Sequence, residues 1–342
     1  MTILFDVNHA GHVHFIKNAY KQLKADGYDC LIVASDKPLV YQLLDEYGLS
    51  YYPMGSIGKS LGAKMLKLIL HDIKLFIFCL KHRPQVILGI VSIRGSHVSW
   101  LTGARSIVFT DTEHASKQIA LFKPFTSEVH TPDWFVKDLG QKQVRYSGFH
   151  ELAYLHPDNF TPRSEVLSLL GVERGEQYFI LRFVAWDATH DKNQYGISLQ
   201  TKREMIMMLS PYGKIFITSE YELEEEFKQY EYDLPRSYLH DALSYTSILI
   251  SEGATTACEA ALLGVPTIYV NSLSLGYITH LERRHDLLYH ITDQALVINK
   301  TKALLENPNL KPEWKEKRDK FVATQQDTTA YIVNLIKAGA KK

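Results

Sequence analysis

Three stretches of this chain combine residue types and spacings that can do chemistry. His9, His12 and His14 form an H-x-x-H-x-H pattern just after an apolar run that ends at Asp6. A histidine titrates near neutrality, so one held at a strand end can take a proton from a hydroxyl. The same spacing could hold zinc, and a histidine at a helix start can simply bond to backbone. His12 is read as catalytic and no metal is expected. Gly11, His9 and His14 are read as substrate-binding, with a buried structural role equally open for His14. Asp111, Glu113 and His114 close a second apolar run. Asp111 and Glu113 are assigned to catalysis and His114 to substrate, against the alternatives of a metal-binding Asp-x-Glu or an ordinary polar loop.

The third stretch runs from Ser251 to Pro266. An apolar run, Ser247 to Ile250, leads to Gly253 and Ala254, then Thr255 and Thr256, then an alanine- and leucine-rich segment that Gly264 ends. Strand, glycine turn and helix start make a βα unit whose free N–H groups can hold a phosphate. Thr256 and Glu259 also fit a capping box, T-x-x-E, and local spacing does not separate the two roles. Arg182 sits inside an apolar strand and needs an anion, either a phosphate or Asp187 or Asp191. His190 lies in the loop that follows.

The elements that must position these groups alternate regularly. Ile3–Phe5, Cys30–Ala34, Tyr51–Tyr52, Val86–Leu88 and Ile107–Thr110 read as strands. A helix starting near His12, a helix from Pro38 to Tyr47 and a long helix from Leu61 lie between the earlier strands. Alternation pauses at a linker, Tyr146–Glu151, and resumes with Tyr178–Val184, a helix from Leu199 to Leu209 and a strand from Lys214 to Thr218. Glu222 to Tyr230 reads as an acidic helix and Pro312 to Lys337 as one long charged helix. The expectation is an α/β protein of two doubly wound domains, 1–150 and 151–325, with a cleft between them. A closing helix of about 326–342 should pack back on the first domain.

Composition narrows the function classes. The 342 residues carry 38 Lys plus Arg against 38 Asp plus Glu, so no global basic surplus draws the chain to nucleic acid. Three separated cysteines, Cys30, Cys79 and Cys258, fit buried thiols in a reducing cytosol. No signal peptide is read at the apolar start, which Asp6 interrupts. The 61–80 stretch holds Lys64, Lys67, His71, Asp72 and Lys74, too many charges for a spanning helix. Its default is a buried face with snorkelling lysines. The functional alternative is a peripheral membrane contact that meets anionic lipid, which would put a cytoplasmic protein on the inner face of the membrane.

The combination resembles the GT-B superfamily of nucleotide-sugar enzymes. Gly11-His12-Val13 and Gly253-Ala254-Thr255-Thr256-Ala257-Cys258-Glu259, followed by Gly264-Val265-Pro266, are similar to motifs of the peptidoglycan N-acetylglucosaminyltransferase that makes lipid II. That enzyme has a basic residue near the position of Glu252. The whole chain is similar to the domain-of-unknown-function 354 family, through Phe109–His114, Trp186–Asp191 and Glu259–Gly264. The resemblance implies that Glu259 holds ribose hydroxyls and that Gly253 to Thr256 hold a diphosphate. It places His12 beside the reacting sugar carbon and implies no metal or cofactor. The implied reaction is glycosyl transfer from a UDP-sugar to a saccharide or lipid-linked acceptor in envelope assembly. UDP-N-acetylglucosamine 2-epimerases, which carry a histidine-arginine-glutamate-asparagine cluster near the place of His190, are a second resemblance. A non-catalytic nucleotide-sugar-binding protein is the third reading.

Overall fold

The computed structural model describes residues 1–56, 61–173, 175–185 and 196–340. The chain divides into two compact units, Met1–Phe160 with Gln325–Lys342, and Thr161–Thr324. The division thus lies beyond the linker expected at Tyr146–Glu151, whose residues belong wholly to the first unit.

Unit 1 is a parallel sheet of β1 (Thr2–Val7), β2 (Asp29–Ser35), β3 (Tyr52–Gly55), β4 (Val86–Ile90), β5 (Arg105–Phe109), β6 (Glu128–Pro132) and β7 (Gln143–Tyr146). Their order is β3-β2-β1-β4-β5-β6-β7, so the winding reverses between β1 and β4. The helices are α1 (Ala10–Ala25), α2 (Pro38–Glu46), α3 (Leu61–His82), α4 (Ile93–Thr102), α5 (Ser116–Phe122) and the single turn α6 (Leu152–Leu155). Central strands are buried on both faces, and Ile3, Leu4, Phe5, Ile107, Val108 and Phe109 are fully covered. A parallel sheet needs such continuous apolar runs, because helices cover both its sides. The last strands, β6 and β7, escaped the sequence because Glu128, His130 and Arg145 break the apolar pattern. His130 is nonetheless buried, its ring bonded to Tyr331 Oη at 2.7 Å and Glu128 at 3.0 Å.

Unit 2 opens with α7 (Glu165–Leu169) and is built on β8 (Tyr178–Phe183), α8 (Leu199–Leu209), β9 (Lys214–Ser219), α9 (Leu239–Tyr245), β10 (Ile248–Ser251) and α10 (Ala254–Leu262). Then come β11 (Thr267–Tyr269), α11 (Gly276–His285), β12 (Tyr289–His290), α12 (Gln294–Leu305) and α13 (Leu310–Val322). Its strands are parallel in the order β12-β11-β10-β8-β9, with the reversal between β8 and β10. Glu222 to Tyr230 is not an α-helix. Only Glu225–Tyr230 is helical, as a 3₁₀ segment. The long terminal helix is likewise two, α13 and then α14 (Thr328–Ala340). The break sends them to different units. In unit 2, α13 buries Trp314, whose indole N–H donates to Leu287 O at 2.9 Å. In unit 1, α14 buries Ile332, Val333 and Ile336.

Candidate functional site

In unit 1 the winding reversal is closed by the protein itself. Asp6, at the end of β1, is fully buried and pairs with Arg94 of α4, whose Nε donates at 2.8 Å. Ser92 Oγ donates to the same carboxylate at 2.6 Å and Asn8 Nδ2 at 3.2 Å. Asp6 neutralises a buried guanidinium, and a charged pair so enclosed leaves no partner spare for a ligand.

The reactive groups lie beside this plug. His9 is the N-cap of α1, its Nδ1 accepting the Gly11 N–H at 3.3 Å. The helix thus starts at Ala10, before His12. A methyl group on Gly11 would meet only His9 Nδ1, at 3.7 Å, so packing does not demand that glycine. His14 is a core residue: its Nδ1 lies 3.1 Å from Tyr47 Oη and its ring 5.2 Å from that of Tyr154. His12 accepts the Asn8 N–H at Nδ1, 3.3 Å away. In the neutral ring the proton then sits on Nε2, which makes His12 a donor there. Burial pushes its pKa well below the usual value, helped by His9, His150 and Lys37 and opposed by Asp111. His12 stays neutral.

A second buried imidazole stands here, on a residue that the sequence places in the linker. His150 is buried, with Nδ1 3.1 Å from Asp111 Oδ2. Its ring packs on Phe15 of α1 at 5.0 Å and near Phe109 of β5 at 6.2 Å. In the neutral ring, with Nδ1 donating to the carboxylate, Nε2 holds a lone pair, and among the described residues this buried nitrogen has no hydrogen-bond partner. Burial drives the His150 pKa down, yet the Asp111 charge and hydrogen bond, with Glu151, outweigh it and leave it raised. Burial likewise drives Asp111 up, but His150 and the Thr112 hydroxyl, donating at 2.9 Å, hold the carboxyl below its ordinary value. The C-terminal segment pins the loop that carries this histidine. Gln326 N–H donates to Ser147 O at 2.7 Å and Thr328 Oγ1 to Phe149 O at 2.7 Å. Glu113 accepts the Val136 N–H at 3.3 Å, a loop brace, and His114 is exposed.

In unit 2 the reversal is built differently. Gly253 is the N-cap of α10 and supplies no side-chain cap. A Cβ there would sit 3.2 Å from Val184 Cγ1 and 3.6 Å from Arg182 Cγ, so glycine allows β8 to come close. The capping box is not formed. Glu259 is buried and turned to His240, whose Nε2 lies 3.0 Å from Oε1. Ala254 is half-buried, Thr255 is exposed and Thr256 is buried at the helix start. Arg182 pairs with Glu220, just past β9, an anion other than the phosphate, Asp187 or Asp191 that the sequence offers; Asp187, His190 and Asp191 lie outside the described residues. Burial lowers the Arg182 pKa, offset by Glu220 and Glu259. Glu252, the acid that stands where the resembling transferase is basic, is a brace. It accepts Val184 N–H at 2.9 Å and Ile197 N–H at 2.7 Å, tying both ends of the segment after β8 to β10.

Both sheets therefore carry their polar groups at the carboxyl ends of parallel strands, as doubly wound nucleotide-binding folds do. Comparison with solved structures gives the fold class, GT-B. UDP-GlcNAc 2-epimerase from Neisseria meningitidis bound to UDP-GlcNAc matches with a TM-score of 0.70 and 11% identity, covering 98% of this chain and 100% of that one. The spinosyn forosaminyltransferase SpnP matches with a TM-score of 0.67 and 15% identity, covering 100% of both chains. The chain belongs to the family described as protein of unknown function (DUF354), whose model matches residues 1–341. The chain is also similar to the uncharacterized protein MJ0665 of Methanocaldococcus jannaschii, 23% identical over 312 residues, 87% of this chain and 90% of that protein.

Proposed function

We propose that this protein is a metal-independent glycosyltransferase that takes a nucleotide-diphosphate sugar, by preference a UDP-sugar, to a saccharide or lipid-linked acceptor in envelope polysaccharide or glycolipid assembly. Unit 1 receives the acceptor. The acceptor hydroxyl gives its proton to His150 Nε2 while its oxygen bonds to the anomeric carbon. The bond from that carbon to the diphosphate oxygen breaks, and the electron pair leaves with the nucleotide. Asp111 keeps His150 in the tautomer that can accept. His12, neutral and protonated at Nε2, donates a hydrogen bond to the reacting sugar. Unit 2 holds the donor: the α10 start and Arg182 stabilise the departing diphosphate, and Glu259, oriented by His240, binds the ribose. No cofactor is required.

The observation that carries this reading is the Asp111–His150 pair with its unfilled buried nitrogen. The test is UDP release from UDP-sugars in the presence of candidate acceptors, with His150→Asn and Asp111→Asn beside the unaltered protein. Turnover lost with UDP binding retained supports the roles; unchanged turnover in both variants sinks them. The same pair also suits removal of a C2 proton, which favours a 2-epimerase as the second reading. Deuterium entering C2 of UDP-N-acetylglucosamine from solvent, with no acceptor present, would decide for it. A binding protein without turnover is left if UDP-sugars bind and neither reaction occurs.

A further inference from the structure

One face of unit 1 is covered by neither reading of the reaction. On α3, Leu66, Ile69, Leu70, Ile73, Ile77 and Leu80 are each 52–62% exposed, against full or nearly full burial of Leu75 and Cys79 on the opposite side. The buried side of α3 joins Met54, Ile87 and Val98 in a core cluster, so the helix is anchored and its apolar stripe points away from the sheet. The helix does have a buried face, but it is the Leu75 and Cys79 side, and the Leu66, Ile69, Ile73 and Ile77 side expected to be buried is the exposed one. Next to α3, α4 shares that cluster and is tied to it by His97 Nδ1 and Asp72 Oδ2, 2.8 Å apart. It adds Trp100, 65% exposed, and Leu101, 58% exposed. Isolated apolar residues on a surface need no explanation, but a contiguous row on two adjacent helices marks an interaction site.

The charges select the occupant. At 3.6 residues per turn, Lys67, Lys74 and Lys81 fall in one line along the edge of the stripe away from α4. Lys67 Nζ reaches Ser56 Oγ at 2.6 Å and Lys74 Nζ reaches Pro53 O at 2.7 Å, neutral partners that leave both charges uncompensated by them. The single acid of the helix, Asp72, is turned to His97. A second copy docking through α3 across a two-fold axis meets itself. Antiparallel pairing sets the lysine row against its own copy, and parallel pairing sets it against Ile69 and Phe76. Neither supplies an acid, so the charge pattern opposes self-association. An apolar stripe bordered by lysines, with a tryptophan beside it, fits the boundary between acyl chains and anionic headgroups.

We propose that the α3–α4 face of unit 1 seats this protein on an anionic lipid surface, whichever sugar reaction it performs. The test floats the full chain, without any donor, on phosphatidylcholine vesicles and on vesicles that also contain phosphatidylglycerol. Binding is expected only with phosphatidylglycerol, weakened by salt, and lost in Ile73→Asp/Ile77→Asp. Lys74→Gln/Lys81→Gln, a surface change that should leave folding intact, should weaken it about fivefold per lysine. Circular dichroism melting and UDP binding of each variant separate lost docking from lost fold, and from failure of the reaction proposed above. Absence of vesicle binding by the unaltered chain overturns the proposal, as does equal binding to both kinds of vesicle. Concentration-dependent dimers that Ile73→Asp/Ile77→Asp dissolves, with no vesicle binding, would assign the face to a second copy instead.

Discussion

The two winding reversals of this molecule have the same topology and opposite chemistry. In unit 1 the ends of β1 and β4 are stopped by Asp6 and Arg94, 0% and 4% exposed, with serine and asparagine donors around them. In unit 2 the ends of β8 and β10 meet at a glycine that caps nothing, beside an arginine whose partner Glu220 is 46% exposed. An enclosed pair costs several kcal/mol to unmake, whereas a half-exposed one is worth about 0–1 kcal/mol and can be exchanged. The lesson is that topology offers a ligand position and side chains decide whether it stays open. In unit 1 the proposed chemistry lies to one side, past the ends of β5 and β7, where Asp111 and His150 meet.

The sharpest way to break this contrast is to test the displaced pair. Asp111→Asn should lower turnover by about 10²–10⁴-fold and leave UDP affinity, measured by calorimetry, unchanged. A loss of UDP affinity instead would place Asp111 with the donor. The plug is tested by Arg94→Met, which leaves the Asp6 carboxylate buried without its cation and should cost about 3–5 kcal/mol in urea denaturation. Glu220→Ala at the other reversal should cost no more than about 1 kcal/mol. Equal costs would erase the distinction drawn here.

A glycine supplies the third test. Gly253→Ala should reduce UDP affinity on the order of fivefold, one hydrogen bond's worth, because Val184 and the start of α10 must separate by a few tenths of an ångström. The last prediction is a pH profile. Asp111 has a lowered folded pKa, so its contribution to stability is complete above the ordinary carboxyl value of 3.8 and fades as pH falls through the folded value. His150 has a raised one, so its contribution is complete below 6.5 and fades as pH rises through the folded value. The pair is worth most between those limits. His150→Asn should remove the decline above 6.5 when its thermal stability is compared with that of the unaltered protein.

Much of this was legible in the residues. Uninterrupted apolar runs such as Tyr178–Phe183 and Ile248–Ser251 announce buried parallel strands, and Gly264 after an alanine-rich segment announces a helix end. Gly253, Arg182 and Asp111 were each singled out by an unusual residue type at a strand end. His150 was not, since a lone histidine in a polar stretch has no local signature. Its partner lies far back in the chain, and the loop that holds it is fastened by Gln326 and Thr328 from the far end. His12 shows the same limit in reverse: the spacing marked it, but only the Asn8 N–H decides that it donates and does not accept.

Sequence alone therefore determined the α/β class, the two-unit plan and the strand-end positions where chemistry can occur, because these follow from local periodicity and backbone sterics. Tertiary structure alone decided which of those positions are plugged, which carboxylate meets which imidazole, and which side of α3 is left uncovered. Those outcomes depend on contacts between residues distant in the chain, whose burial and pairing energies no local window contains.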